Sequence, residues 1–369
     1  MTSKSFAAAV LFSVLAAACA SAQSVLDKLS PQTRAEIEKL SPSERAQLAS
    51  GTADSDDDFL CTRWGCVGGV LSAGVDDFQN VSQGDYPSET GLTAGFSAAA
   101  PVPGLQDYGV GVQTSVSYGQ YAWNGRDSLA PYDSFGRQEL YSVGLFRRPN
   151  PFGATPLERW GIGGAFDTSA NRSMGSRADT YTLSQYRFKT SYDFSASHEI
   201  GLWGALRDNT ASVLGTAPNY SNKQTVNSYR GVDQLNFFYK YSLSEGGSLT
   251  AYAGPGVGGS IINPHLPGNY YSNLIGLHGH VYRATGGLSA VIPFSDRLAL
   301  FSDASYGMPD AAPLRSPQAS ATAGFSLSTG LRWYWGRNAR AHDDTGKRWM
   351  PYLSAPNNGS FLTQSNFVD

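Results

Sequence analysis

The chain has 369 residues, 41 of them glycine, with 12% aromatic residues, 15% charged residues and a formal net charge of −3. Its glycine share, about 11% against a usual ~7%, is high, and its charged share falls far below the ~25% of ordinary soluble domains. The balance excludes a basic nucleic-acid binder. The 41% hydrophobic fraction and mean hydropathy of −0.27 exclude a bundle of membrane helices. What remains fits an all-β fold, an antiparallel β-barrel of an outer membrane.

The N-terminus reads as a targeting segment over residues 1–22. Lys4 precedes an apolar run from Phe6 to Ala18, and Ala20-Ser21-Ala22 supplies a small-x-small cleavage site before Gln23. The run is shorter than the ~20 residues of a spanning helix. Cys19 raises a second reading, a lipoprotein processed just before that cysteine. Ala16 stands where such sites usually carry leucine, so ordinary cleavage is preferred and Cys19 is discarded with the signal. No later apolar stretch reaches ~18 residues, so any crossing of a membrane must be made by strands.

Residues 23–66 read as a periplasmic arm and linker. Ser41-Pro42-Ser43-Glu44 is a helix start, with serine at the cap, proline in the first turn and glutamate three residues on. Leu26, Leu29, Ile37, Leu40 and Leu48 are too few to make a core, which leaves a mobile arm or a partner surface, the first being preferred. Asp54, Asp56, Asp57 and Asp58 have calcium-loop spacing. The places that need glycine and glutamate hold Phe59 and Gly65, so the run reads as a solvated linker. Cys61 and Cys66, in an oxidising compartment, read as a disulfide. The alternative, two metal-binding thiols, lacks a nearby histidine to complete a ligand set.

From residue 67 the hydrophobic period is two. Twelve candidate strands cover 67–76, 90–100, 108–122, 137–147, 159–169, 178–195, 197–207, 232–244, 247–257, 279–293, 297–307 and 320–335, each long enough to span. In the eighth, Leu235, Phe237, Tyr239 and Tyr241 oppose Asn236, Lys240 and Ser242; in the last, Phe325, Leu327, Leu331, Trp333 and Trp335 oppose Gly324, Ser326, Ser328 and Arg332. The connections after strands 1, 3, 7 and 9 are long, those after 5 and 11 intermediate, and those after 2, 6, 8 and 10 short, with the link after strand 4, 148–158, a partial exception. This alternation places both ends of the barrel in the periplasm. A soluble sandwich would fill its inner face with Val, Leu and Phe rather than Gly and Ser, and the fixed repeat of a β-helix is absent.

Tyr118, Tyr121, Trp123, Trp160, Tyr192, Tyr306, Trp333 and Trp335 cluster near strand ends and read as the aromatic girdle of the headgroup layers. Parity places Asp167, Arg187, Lys189, Asp193, Glu199, Arg207, Lys240, Arg283, Asp303 and Arg332 toward the lumen. There they form either a cross-lumen salt-bridge network, the preferred reading, or a pore lining with slight anion preference.

Enzyme signatures are missing: there is no Gly-x-Ser-x-Gly elbow, and His198-Glu199 lacks the second histidine of a zincin helix. Gly254-Pro255-Gly256-Val257-Gly258-Gly259 follows no βα unit and reads as a glycine-rich strand end. His278 and His280 read as rim residues rather than a metal pair. The sequence therefore points to no enzyme, no catalytic residue, no metal and no cofactor, and to outer-membrane lipid and small solutes as partners. A structural barrel without an open pore and an outer-membrane hydrolase are the alternatives.

Three strand phrases carry a resemblance: Tyr108-Gly-Val-Gly-Val-Gln113, Tyr141-Ser-Val-Gly-Leu-Phe-Arg-Arg148 and Glu199-Ile-Gly-Leu-Trp-Gly-Ala-Leu-Arg-Asp208. With the tail phrases Trp349-Met-Pro351 and Asn357-Asn358-Gly-Ser-Phe361, they resemble a planctomycete-type family of uncharacterised outer-membrane β-barrel proteins, a domain of unknown function. The resemblance covers about residues 67–369, implies a barrel and brings no catalytic residue. The helical arm and the Cys61–Cys66 pair depart from it. The tail, residues 336–369, is polar and carries Trp349, Tyr352, Phe361 and Phe367. It is expected in the periplasm, where it either folds back to cap the mouth or enter the lumen, or remains a loose extension.

Overall fold

The structure is a computed structural model. It describes residues 61–62, 65–79, 81–82, 89–121, 136–150, 155–174, 179–216, 224–243, 246–259, 280–308, 323–335 and 348–368. The signal segment, the arm, the acidic linker, Trp123, His278 and residues 336–347 lie outside the described residues, as do the side chains of Cys61, Cys66 and His280.

Twelve strands form the wall. They are β1 (Gly65–Gln79), β2 (Glu89–Pro101), β3 (Val110–Tyr121), β4 (Gly136–Arg147), β5 (Trp160–Met174) and β6 (Asp179–Ser195). The second half comprises β7 (His198–Arg207), β8 (Asp233–Ser242), β9 (Ser248–Gly259), β10 (His280–Pro293), β11 (Leu298–Gly307) and β12 (Gly324–Trp335). Each pairs antiparallel with the next, and β12 returns to β1 from Phe325↔Gln79 to Trp335↔Gly69. Closure leaves no strand edge in the wall, the condition for a sheet to lie in hydrocarbon. Every expected strand is present, with ends displaced by a few residues.

The two faces differ as the period requires. On β3, Gly111, Gln113, Ser115 and Gly119 are buried while Val112, Thr114, Val116 and Tyr118 are exposed. Outward side chains are large and apolar: Val143, Leu145, Ile162 and Leu288 are each 60–62% exposed. An apolar face of this extent is stable against lipid and not against water. The β8–β9 turn shows one local cause of the topology: Gly246 (φ 89°) and Gly247 (φ 83°) both take the left-handed conformation that a tight hairpin needs.

Connections at one end, here the near end, are short at 102–109, 196–197, 243–247 and 294–297, with 148–159 a longer exception. Those at the far end are mostly longer: 80–88, 122–135, 208–232, 260–279 and 308–323, with 175–178 a short exception. The far-end segment after β7 carries a hairpin, Thr210–Thr216 with Gln224–Gly231.

The tail does not stay at the near end. Barrel and tail belong to one compact unit, Thr62–Asp369. Arg348 and Trp349 pair in parallel with Cys66 and Val67 of β1. The chain then runs through the lumen to the far end, where Thr363–Val368 pairs antiparallel with Gln224–Gly231 and in parallel with Val81–Ser82. Inside, it gathers two apolar layers. The near layer is Ala99, Phe146, Ala165, Trp349 and Leu353; the far layer includes Phe78, Tyr121, Leu140, Met174, Tyr181, Leu183, Tyr229 and Phe361. The polar tail, for which entry into the lumen was one of the expected alternatives, thus supplies the centre of the barrel's interior packing.

Tyr121 is a correction. It was expected in the lipid-facing girdle because it lies near a strand end, but it shares the phase of Gln113, Ser115 and Gly119 and is 2% exposed in the far layer. Phase, not proximity to the end, decides its side. Tyr118, Trp160, Tyr306 and Trp333 are exposed outward. Tyr192 packs on Trp160 with ring centroids 5.4 Å apart, and Trp335 lies 6.5 Å from Phe96.

Candidate functional site

The site is the lumen, and it is built by what holds the tail. Gln113, inward on β3, acts as a peptide group set into the wall. Its Oε1 accepts from the backbone N–H of Tyr352 (2.9 Å) and Leu353 (3.0 Å), while its Nε2 donates to the Leu353 carbonyl (3.1 Å). Trp349 packs against Phe146, and the Arg148 guanidinium lies 4.3 Å over its ring. Tyr352 stacks on Phe146, its hydroxyl 2.7 Å from Ser191 Oγ, and Lys189 Nζ lies 4.3 Å over its ring. Glycines make the room. A Cβ at Gly111 would lie 2.7 Å from the Trp349 ring, and one at Gly163 would lie 2.6 Å from Leu353 Cδ1.

Farther in, Arg187 donates to the Ser354 carbonyl (2.8 Å), and Gln185 and Gln234 to that of Ser360 (3.1 and 3.4 Å). A turn from Asn357 to Phe361 is closed by Ser360 N–H to Asn357 Oδ1 (2.9 Å) and Phe361 N–H to the Asn357 carbonyl (2.9 Å). It presents Asn358, whose Nδ2 donates to Asp76 Oδ2 (2.6 Å) and to the Tyr121 oxygen (3.2 Å), while its Oδ1 accepts from Gln138 (2.8 Å). Tyr121 also donates to Asp76 (3.0 Å). Beyond it Leu362 meets Val232 and closes against Gly307.

The charges expected in the lumen are gathered into pairs. Asp167 and Arg187 are nearly fully buried and bond in two places, at 2.8 and 3.2 Å. Glu199 holds Lys189 at 2.8 Å and Lys240 at 3.3 Å, Asp303 holds Arg332 at 3.2 Å, and Asp233 lies 3.6 Å from Arg207. Arg283 is 5% exposed and inward on β10. Asp193 opposes Glu199 in register. Register extends this contact into a continuous polar row, Asp193, Glu199, Lys240, Thr250, Ser289, Asp303, Ser328 and Asp76, each cross-strand to the next. Asp167, Glu199, Asp233 and Asp303 tolerate this setting because each faces an opposite charge, and Asp76 because it accepts from Asn358 and Tyr121.

Several residues of the site escape a reading based on charge and strand length. Asp76 is the last residue of the expected first strand, 67–76, where it is in step with Ser72 and Gly74, but it was not among the charges placed toward the lumen. The amides Gln113, Gln138, Gln185, Gln234 and Asn358 carry no charge. Their signal is the recurrence of a long amide at an inward position on β3, β4, β6 and β8.

Between the tail and the wall of β6–β12, β1 and β2 lies a cavity of about 460 Å³. It is bounded by Trp203, Lys240, Tyr252, Arg332 and Tyr334 on the wall and by Tyr352–Ala355 on the tail.

The other motifs resolve structurally. Gly254 sits in β9 opposite Thr285, where a Cβ would strike the Leu235 carbonyl; this is a closely packed strand, not a phosphate loop. His198 packs against Phe194 (5.2 Å), and its Nδ1 lies 2.6 Å from the Tyr239 hydroxyl. Among the described residues no group of three or more His, Cys, Asp or Glu is placed to hold a metal ion, and no helix is long and apolar enough to cross a membrane.

A closed, even-stranded antiparallel wall with an apolar exterior and a polar, charge-paired interior defines an outer-membrane β-barrel. The chain belongs to a family of unknown function, DUF6666, which matches residues 64–363, most of the lumenal tail included. Similar solved structures include an outer-membrane channel from Pseudomonas putida F1 (13% identity, 75% of this chain and 98% of that one, TM-score 0.45). They also include the translocator domain of the autotransporter NalP from Neisseria meningitidis (15%, 80% and 99%, 0.40) and outer membrane phospholipase A from Escherichia coli (11%, 72% and 95%, 0.36). No curated protein matches the sequence significantly.

Proposed function

We propose that the protein is a narrow conduit for small solutes, with the tail as its built-in constriction. Its N-terminal signal segment directs export, and the near end of the barrel faces the periplasm. The carrying observation is the cavity of about 460 Å³ that continues beside the tail instead of being filled by it. Its wall mixes polar and apolar side chains, and the charged groups along it are paired, an arrangement that suits passage better than catalysis. The reading assigns no catalytic residue: the outward His198 is bonded to a phenol. Planar-bilayer recording tests it. The full chain is expected to give small, steady unitary currents, and a chain ending at residue 347 larger ones. Silence of the full chain while the truncated chain conducts would replace the conduit with a closed, structural barrel, the reading favoured by the apolar layer around Phe361.

A further inference from the structure

The cavity beside the tail has a chemistry that passage alone does not require. The cations bordering it are committed within the wall: Lys189 and Lys240 to Glu199, Arg332 to Asp303, Arg187 to Asp167. A site for an ion needs a charge not already balanced by a neighbour; with Asp193, which stands opposite Glu199 in register, four carboxylates accompany these four cations. Much of the remaining lining is aromatic rings and hydroxyls, beside aliphatic groups such as Val70, Val291, Met350 and Leu353. Trp203 and Tyr252 meet edge to face with centroids 5.1 Å apart, and Tyr334 lines the same cavity. Thr250 and Ser289 stand cross-strand on the polar row next to Lys240, so two hydroxyls and an ammonium face the cavity on three adjacent strands. Rings that offer an apolar face beside convergent hydroxyls suit a solute with both C–H faces and many O–H groups. The volume lies within the roughly 300–1,000 Å³ of small-molecule sites.

We propose that this cavity is a binding site for a neutral, polyhydroxylated solute of mono- or disaccharide size. Its ring faces would lie on Trp203 and Tyr252 and its hydroxyls would exchange hydrogen bonds with Thr250, Ser289 and Lys240. The inference deepens the conduit reading and rests on it for access to the lumen.

Equilibrium dialysis of the full chain in lipid nanodiscs free of glycoside detergent tests it, with radiolabelled maltose, glucose and gluconate as probes. Saturable binding of maltose or glucose is expected, stronger than that of gluconate, and weakened about tenfold or more by Trp203→Ala. Ser289→Leu, which fills the cavity without removing a ring, is expected to weaken it too, and covers the case in which the tryptophan variant fails to fold. A heat-modifiable gel shift checks folding of both. Non-saturable uptake of both sugars, or tighter binding of gluconate, would overturn the proposal. Efflux of small solutes from proteoliposomes, measured alongside, separates the two readings: efflux without saturable sugar binding ends this inference and leaves the conduit standing. Saturable binding without efflux does the reverse.

Discussion

Gln113→Leu isolates the grip of the wall on the tail. Leucine keeps the approximate volume and the inward phase but removes three hydrogen bonds, two from the N–H groups of Tyr352 and Leu353 and one to the Leu353 carbonyl. At about 1 kcal/mol net per bond, the docked tail loses roughly 3 kcal/mol, and more if the stranded backbone groups find no water. Since about 1.4 kcal/mol is a factor of ten, the undocked fraction rises roughly a hundredfold. Native-state hydrogen exchange reads that fraction directly, because the tail amides exchange from the open form. The amides of Tyr352 and Leu353 are expected to exchange about a hundred times faster in the variant, while those within β3 and β4 keep their rates. Unchanged exchange at 352 and 353 would refute the reasoning, and equal acceleration in the strands would show the whole barrel to be weakened instead.

Three further outcomes follow from the same geometry. Val143→Arg, on a lipid-facing position 61% exposed, should cost about 2–4 kcal/mol if the residue lies near the bilayer midplane; urea titration of folding into vesicles measures it, and a value near zero would place Val143 outside hydrocarbon. Asp167→Ala leaves Arg187 buried without its carboxylate and should cost about 3–5 kcal/mol, whereas Asp167→Leu combined with Arg187→Met should recover most of the loss; the same titration decides. Gly111→Val would drive a side chain into the Trp349 ring, 2.7 Å from the new Cβ. Trypsin cleavage at Lys347-Arg348 in the intact barrel is expected to accelerate by about tenfold or more, as the docked tail gives way to an open form, and an unchanged rate would show that the ring can shift at little cost.

The wall was legible in the sequence because every strand is local. Alternation and short turns are written within ten to seventeen residues, and one slipped phase would turn leucines inward. The alternation of loop lengths extended that local signal to the even strand count. The interior was legible only for charges. Asp167, Glu199 and Lys240 stood out against Gly and Ser, but Gln113 and Asn358 act through partners about 240 and 220 residues away, and no spacing records such a meeting. Tyr121's inward side was legible in its phase, shared with Gln113 and Ser115; what no spacing records is that Asp76 and Asn358 meet its hydroxyl. The inward glycines were legible as an inner face too small for a hydrophobic core; what crowds Gly111 and Gly163, the side chains of Trp349 and Leu353, was not.

The path of the tail alters the bookkeeping of sides. An even number of strands returns a chain to the side it started from, but here twelve strands and one passage through the bore make thirteen crossings. Gly65 and Val368 therefore stand on opposite sides of the same membrane. The seam between β12 and β1 closes around a segment later in the chain than either strand. Assembly of this barrel thus includes a threading event: the segment that follows β12 must come to lie in the bore, either as the seam closes around it or through the near mouth afterwards.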